Sequence, residues 1–150
     1  MKHQQDLTLI AKIISAVERR IPEYLANDED RQNNEGNCAL CLIEDSGAIY
    51  GKLFGKDKIR LRNSFRLAWI KASQVWITGL KTGEFEKQVY SGTLDDAPFG
   101  IIRPEFIGWE GGQPIKIDGH TRLSAGFSGF RGTSDLAIVQ QAVADALASK

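Results

Sequence analysis

Apolar residues at Leu7, Ile10, Ile13, Ile14, Val17 and Ile21 recur at the i, i+3, i+4, i+7 spacing of an amphipathic helix, with Glu18, Arg19 and Arg20 on or beside its wet face. Asp6 is the expected cap, and Pro22 is expected to end or kink the helix before a short extension through Leu25. Residues 27–37 are polar and charged, with Gly36 near the end, and read as a loop. Cys38–Glu44 is a continuous apolar run of strand length, Asp45-Ser46-Gly47 is a turn, and residues 48–54 alternate as the returning strand of a hairpin.

Residues 59–77 form the longest helical pattern, with Phe65, Ala68, Trp69, Ala72, Val75 and Trp76 as one broad apolar stripe and Thr78-Gly79 as its stop. A short helix follows over residues 83–90. Residues 94–107 look irregular, with room for a brief strand. Residues 114–118 and 122–127 suggest a second hairpin about a Gly119-His120 turn. Thr133-Ser134-Asp135 starts a last helix with Leu136, Val139, Ala142, Val143, Ala146 and Leu147 on its core face. Strands that come in hairpins give an antiparallel sheet with helices packed on it, an α+β fold in a single domain over residues 1–150.

The chain has 150 residues, enough to bury a real core, and is 42% hydrophobic. Its 19 Lys and Arg balance 19 Asp and Glu. Zero net charge argues against nucleic acid as a partner, since phosphate binding needs a basic excess, and it favours self-association. No run approaches the roughly 20 apolar residues that span a bilayer, and residues 7–16 lack the plain apolar region of a signal peptide. The expected compartment is the cytoplasm.

Cys38 and Cys41 are spaced C-x-x-C, but on a strand residues three apart point to opposite faces. A zinc site would need two further ligands, so two buried reduced thiols are expected and no metal site. His3 lies near the N-terminus and His120 in the expected turn, neither beside a partner that suggests catalysis or metal binding.

Three segments carry candidate chemistry. In the Gly126 to Ser134 stretch a strand meets a helix N-terminus, where backbone N–H groups and the dipole favour an anion and Arg131 offers a bidentate contact. The same glycines equally suit a tight strand-to-helix connection. Around Trp109-Glu110-Gly111-Gly112-Gln113-Pro114, paired glycines let the backbone approach a ligand or a neighbouring chain, and Trp109 either stacks on a flat ligand or caps the core. Arg60, Arg62, Arg66 and Lys71 form a basic cluster on the long helix. Lys71 interrupts an apolar neighbourhood, which calls for a buried carboxylate partner or a ligand.

Four stretches, in order, resemble the GlcG/HbpS family, the small haem-degrading domains also found as the C-terminal part of PduO-type proteins. Leu42-Ile43-Glu44-Asp45-Ser46-Gly47 resembles its strand ending in V-D-x-G-G. Ser64, Ala68, Lys71 and Ala72 reproduce its S-x-x-x-A-x-x-K-A helix. Glu110-Gly111-Gly112-Gln113-Pro114-Ile115 resembles its G-G-G-x-P segment, and Ala125-Gly126-Phe127-Ser128-Gly129 followed by Asp135 resembles its final helix entry. The resemblance implies a profilin-like α/β fold around an antiparallel sheet, symmetric homo-oligomers, and association with haem or another small molecule. The chain departs from the family at residues 54–58, in a longer and more aromatic insert over residues 99–109, and at Glu110, where relatives carry glycine. No histidine falls on a matched motif.

The preferred reading is a binding module. It holds a small anionic or planar ligand among Ser64, Lys71, Trp109, Glu110, Gly111, Gly112, Gln113, Ser128, Gly129 and Arg131. An enzyme using Glu110 as acid or base beside Lys71 or Arg131 is one alternative. A structural assembly subunit without ligand is another.

Overall fold

The computed structural model describes residues 2–101 and 108–149. The elements run α1 (Lys2–Leu25), α2 (Asp28–Asn34), β1 (Cys38–Glu44), β2 (Ile49–Phe54), α3 (Lys58–Thr78), α4 (Thr82–Tyr90), a 3-10 turn (Ala97–Phe99), β3 (Gly112–Ile117), β4 (His120–Ser128) and α5 (Gly132–Ala148). The four strands make one antiparallel sheet in the order β2-β1-β4-β3. This is the expected α+β architecture, with helices on both faces.

Strand alternation decides what each face meets. Cys38, Leu40 and Leu42 of β1 point into the larger core, with Ile13 and Val17 of α1 and Ile138 and Val139 of α5. Ala39, Cys41 and Ile43 point the other way, onto Ala68 and Ala72 of α3. The two thiols therefore lie in different layers, both buried and free. α3 sits very close to the sheet. A Cβ on Gly126 of β4 would lie 2.6 Å from the Ala72 backbone nitrogen, so the contact requires glycine on the strand and alanine on the helix.

Several expectations are corrected. Residues 27–37 are mostly helical, because the Asn27 side chain accepts from the Glu29 and Asp30 N–H groups and Asp28, Glu29 and Asp30 complement the dipole of α2. The sequence does hold that signal, an N-cap followed by three acids, but no apolar periodicity accompanies it. Asp6 does not cap α1, which starts at Lys2; its carboxylate faces Arg122 at 3.7 Å. Pro22 does not end α1, and the expected extension through Leu25 belongs to the same helix. The second hairpin turns at Asp118-Gly119, both at positive φ, and His120 is the first residue of β4, paired with Ile117.

The expected stripe on α3 is also revised. Ala68, Ala72 and Val75 are buried, but Trp69 and Trp76 are 41% and 45% exposed, while Ser64, Lys71 and Gln74 are buried instead. On α5, Leu147 is exposed and Ile138 takes a core position. Of residues 94–107, the described part contains the 3-10 turn. Residues 102–107, including most of the aromatic insert, lie outside the described residues. No helix among the described residues is long and apolar enough to cross a membrane.

Candidate functional site

Lys71 is the organising residue of the site. It lies on the buried side of α3, where its ammonium donates to the Phe127 carbonyl at 2.8 Å and to the Asp135 carboxylate at 3.1 Å. The other Asp135 oxygen accepts the Phe130 N–H at 2.8 Å. Asp135 sits in the first turn of α5, where the helix dipole favours a carboxylate. Burial nevertheless pushes its carboxyl up to about 7, against the pull of the Lys71 ammonium and the Phe130 N–H.

A second buried carboxylate grips the same helix start. Asp30 of α2 accepts the Arg131 backbone N–H and Nε, each at 3.0 Å, and the Ser134 hydroxyl at 2.8 Å. Burial acts to raise the Asp30 pKa, but the Arg131 and Ser134 hydrogen bonds outweigh it and the net shift is downward. Arg131 also reaches Glu29 at 2.9 Å. The α5 N-terminus therefore already holds Asp30 and Asp135, two carboxylates of the chain itself. Neither Arg131 nor Lys71 is a free cation for an incoming anion.

Above this floor opens a cleft of about 640 Å³, walled by Trp109 and Glu110 on one side and by Ser128, Arg131 and Thr133 on the other. Trp109 is 67% exposed, so it does not cap the core. Its backbone carbonyl accepts the Thr82 hydroxyl at 2.6 Å, which fixes the segment against α4 while leaving the indole outside.

Of the ten residues singled out from the sequence, Lys71, Trp109, Glu110, Ser128 and Arg131 line this cleft together. The other five serve as joints nearby. Ser64 donates to the Asn37 carbonyl at 3.0 Å and holds α3 to the start of β1. Gly111, at φ 121°, packs so closely that a Cβ would lie 2.9 Å from the Lys71 Nζ and 2.6 Å from the Phe127 carbonyl oxygen. A Cβ on Gly112 would lie 3.1 Å from the Lys71 carbonyl oxygen. The close approach made by this glycine pair is to α3 and β4 of the same chain. Gln113 donates to the Leu136 carbonyl at 3.0 Å. Gly129, at φ 144°, lies against Cys38, where a Cβ would come within 2.7 Å of its Cα.

Sequence reading missed Asp30 and Asn33. Asn33 lines the cleft and donates to the Phe130 carbonyl at 2.8 Å. Both lie in α2, which carries no apolar periodicity to mark it. Of the basic cluster on α3, Arg60 faces Glu35 and Asp57, and Arg66 bonds Asn63, so the four cations act separately. His120 lies in the β3–β4 hairpin and does not line the cleft. No group of three potential metal ligands occurs among the described residues.

No family model matches the chain, and no curated protein matches it. Solved structures do. The Klebsiella pneumoniae protein ORFY, described as DUF336, aligns over 96% of this chain and 91% of its own at 17% identity and a TM-score of 0.71. PduOC, solved as a heme complex, aligns over 89% and 91% at 20% identity and a TM-score of 0.61. HbpS aligns over 91% and 85% at 16% identity and a TM-score of 0.57. At such identities the likeness is one of backbone architecture, and on that ground the chain has the fold shared by ORFY, PduOC and HbpS.

Proposed function

We propose that this chain is a small-molecule-binding domain whose ligand lies in the cleft between Trp109-Glu110 and the start of α5. One observation carries the reading: an exposed indole and an adjacent carboxylate stand over a floor whose charges are already paired. Trp109 supplies a flat face for stacking, and Glu110, Ser128 and Thr133 supply acceptors. Because Lys71 and Arg131 are each committed to buried carboxylates, the balance favours a neutral or cationic planar molecule over an anion.

The heme bound to PduOC supports a planar ligand on this fold. Among the described residues, those lining the cleft include no His, Cys, Met or Tyr, the usual axial ligands of a haem iron. Iron ligation does not fit this site. The enzyme reading also loses support, since Glu110 has neither cation available as a partner.

The test is to titrate proflavine, riboflavin and haemin separately and follow tryptophan fluorescence. At least one should quench saturably, with about tenfold weaker binding to Trp109→Ala. Absence of saturable quenching by all three removes the proposal, and a Soret shift typical of ligated iron would restore the haem reading.

The proposal includes self-association. Trp69, Trp76 and Ile77 share an exposed apolar depression on the outside of α3, a surface that supports contact with a second copy. Light scattering that reports a monomer at micromolar concentration would count against it.

A further inference from the structure

The sheet edge formed by β2 carries a second, separate groove. Among the described residues β2 pairs only with β1, and Ile49 and Leu53 lie opposite Ile43 and Ala39, so both face the α3 side of the sheet. α3 covers β1, β3 and β4 far more than β2, which leaves Ile49 and Leu53 exposed. Between β2 and the first turns of α3 lies a groove of about 750 Å³, walled by Ile49, Leu53, Leu61 and Phe65.

The groove has two unlike ends. α3 begins four residues after β2 ends, so its N-terminus, with Lys58 and Arg62, lies near the Leu53 end. Its far end approaches the β1–β2 turn, where the Trp76 indole donates to the Asp45 carbonyl at 3.3 Å. Phe65 and Ile49 therefore mark the apolar end. Lys58 and Arg62 are four apart on α3 and share a face. Neither side chain has a hydrogen-bond or ion-pair partner among the described residues. Asp57, the nearest acid in sequence, is engaged in capping α3 through Ile59 and Arg60. Lys52, by contrast, is committed to Glu18 at 2.7 Å.

We infer that this groove binds an elongated apolar molecule ending in a carboxylate, with the acid between Lys58 and Arg62 and the chain running along β2 toward Ile49 and Phe65. Charge complementarity selects this occupant. A second copy docking its own β2 would bring no acid from that strand toward a rim that is already cationic. From Ile49 to Leu53 the strand spans about 13 Å, the scale of a medium-length acyl chain. Apolar contact along the groove supplies the affinity, and the cations set the orientation and the selectivity for an acid over an amine.

The experiment is calorimetric titration of the full chain with dodecanoate below its micelle concentration, with dodecyltrimethylammonium as the control of opposite charge. Dodecanoate should bind once per chain and the ammonium should not bind. The double variant Lys58→Glu with Arg62→Glu, at exposed positions, should weaken dodecanoate at least tenfold while its circular dichroism stays unchanged. Leu53→Asp should do the same, and Trp109→Ala should have no effect, because its cleft is elsewhere. Equal binding of both amphiphiles, or undiminished affinity in the charge-reversed variant, would overturn the assignment. So would a wild-type dimer that Leu53→Asp dissociates, which would give the groove to a second copy.

Discussion

Lys71 and Asp135 form an ion pair at 3.1 Å between α3 and α5, each side chain only 3% exposed, across the end of β4. The pair joins the helix layers on opposite faces of the sheet. Gly111 packs over it with no room for a side chain, so the pair is sealed by backbone. The proposed cleft stands on this joint.

Removing one partner should be far worse than removing both. Lys71→Met leaves Asp135 buried without its cation, so above the pH at which that acid takes up a proton the loss is about 3–5 kcal/mol. Adding Asp135→Asn keeps an acceptor for the Phe130 N–H and discards the charge, so the double variant should recover most of that loss. Urea unfolding of the two single variants and the double variant measures it. Simple additivity would show that the two residues do not act as a pair.

The pair also sets a pH dependence with a definite sign. Asp135 in the fold titrates near 7, above the ~3.9 of an unfolded aspartate. Between those values the folded chain holds the proton more tightly, so this contribution is complete below about pH 4 and fades as pH rises through 7. Asp30 runs the opposite way. Its pKa is lowered, so its contribution is present above about pH 4 and is lost on acidification. The stability of the wild type relative to Asp135→Asn should therefore fall between about pH 5 and about pH 8. Denaturant midpoints for both proteins across that range provide the check, and a constant difference would contradict it.

Gly111→Ala should destabilise the chain by about 2–4 kcal/mol, combining positive-φ strain with a clash. The added Cβ would sit 2.6 Å from the Phe127 carbonyl oxygen and 2.9 Å from the Lys71 Nζ. Gly119→Ala provides the comparison: φ is also positive there, but no atom lies within 4 Å of the added Cβ. It should cost about 1 kcal/mol. Equal losses at the two sites would mean that the crowding over Lys71 carries no energy.

Cys38 and Cys41 should be inert in the native state despite their spacing. Burial pushes both thiols up to about 12. An aromatic disulfide reagent at about pH 8 should react with neither until denaturant is added, and then with both. Rapid modification of either thiol in the folded protein would show that one layer opens locally.

Three of the four stretches that resemble the GlcG/HbpS family, on α3, at the start of β3 and at the entry to α5, turn out to be places where elements pack closely against backbone or bury a polar pair. Ser64 ties α3 to Asn37, Ala68 and Ala72 lie on Gly126, Lys71 meets Asp135, and Gly129 abuts Cys38. Such contacts admit few residue types, so they leave a readable mark. The α2 side of the cleft leaves none. Trp109 and Glu110 are held by a backbone contact to Thr82, and Asn33 and Asp30 arrive on a helix defined by its cap alone.

Sequence alone determined the elements whose periodicity is strong. The continuous apolar run of β1, the Gly79 stop of α3 and the hairpin order were enough for an antiparallel α+β sheet, because these depend on local propensity and on which face must avoid water. Only the tertiary structure decided which charges remain available. Arg131 and Lys71 look alike in the sequence as candidate ligand contacts, yet both are neutralised by aspartates 101 and 64 residues away along the chain. An ion pair depends on distance in space, and a linear pattern carries no record of that.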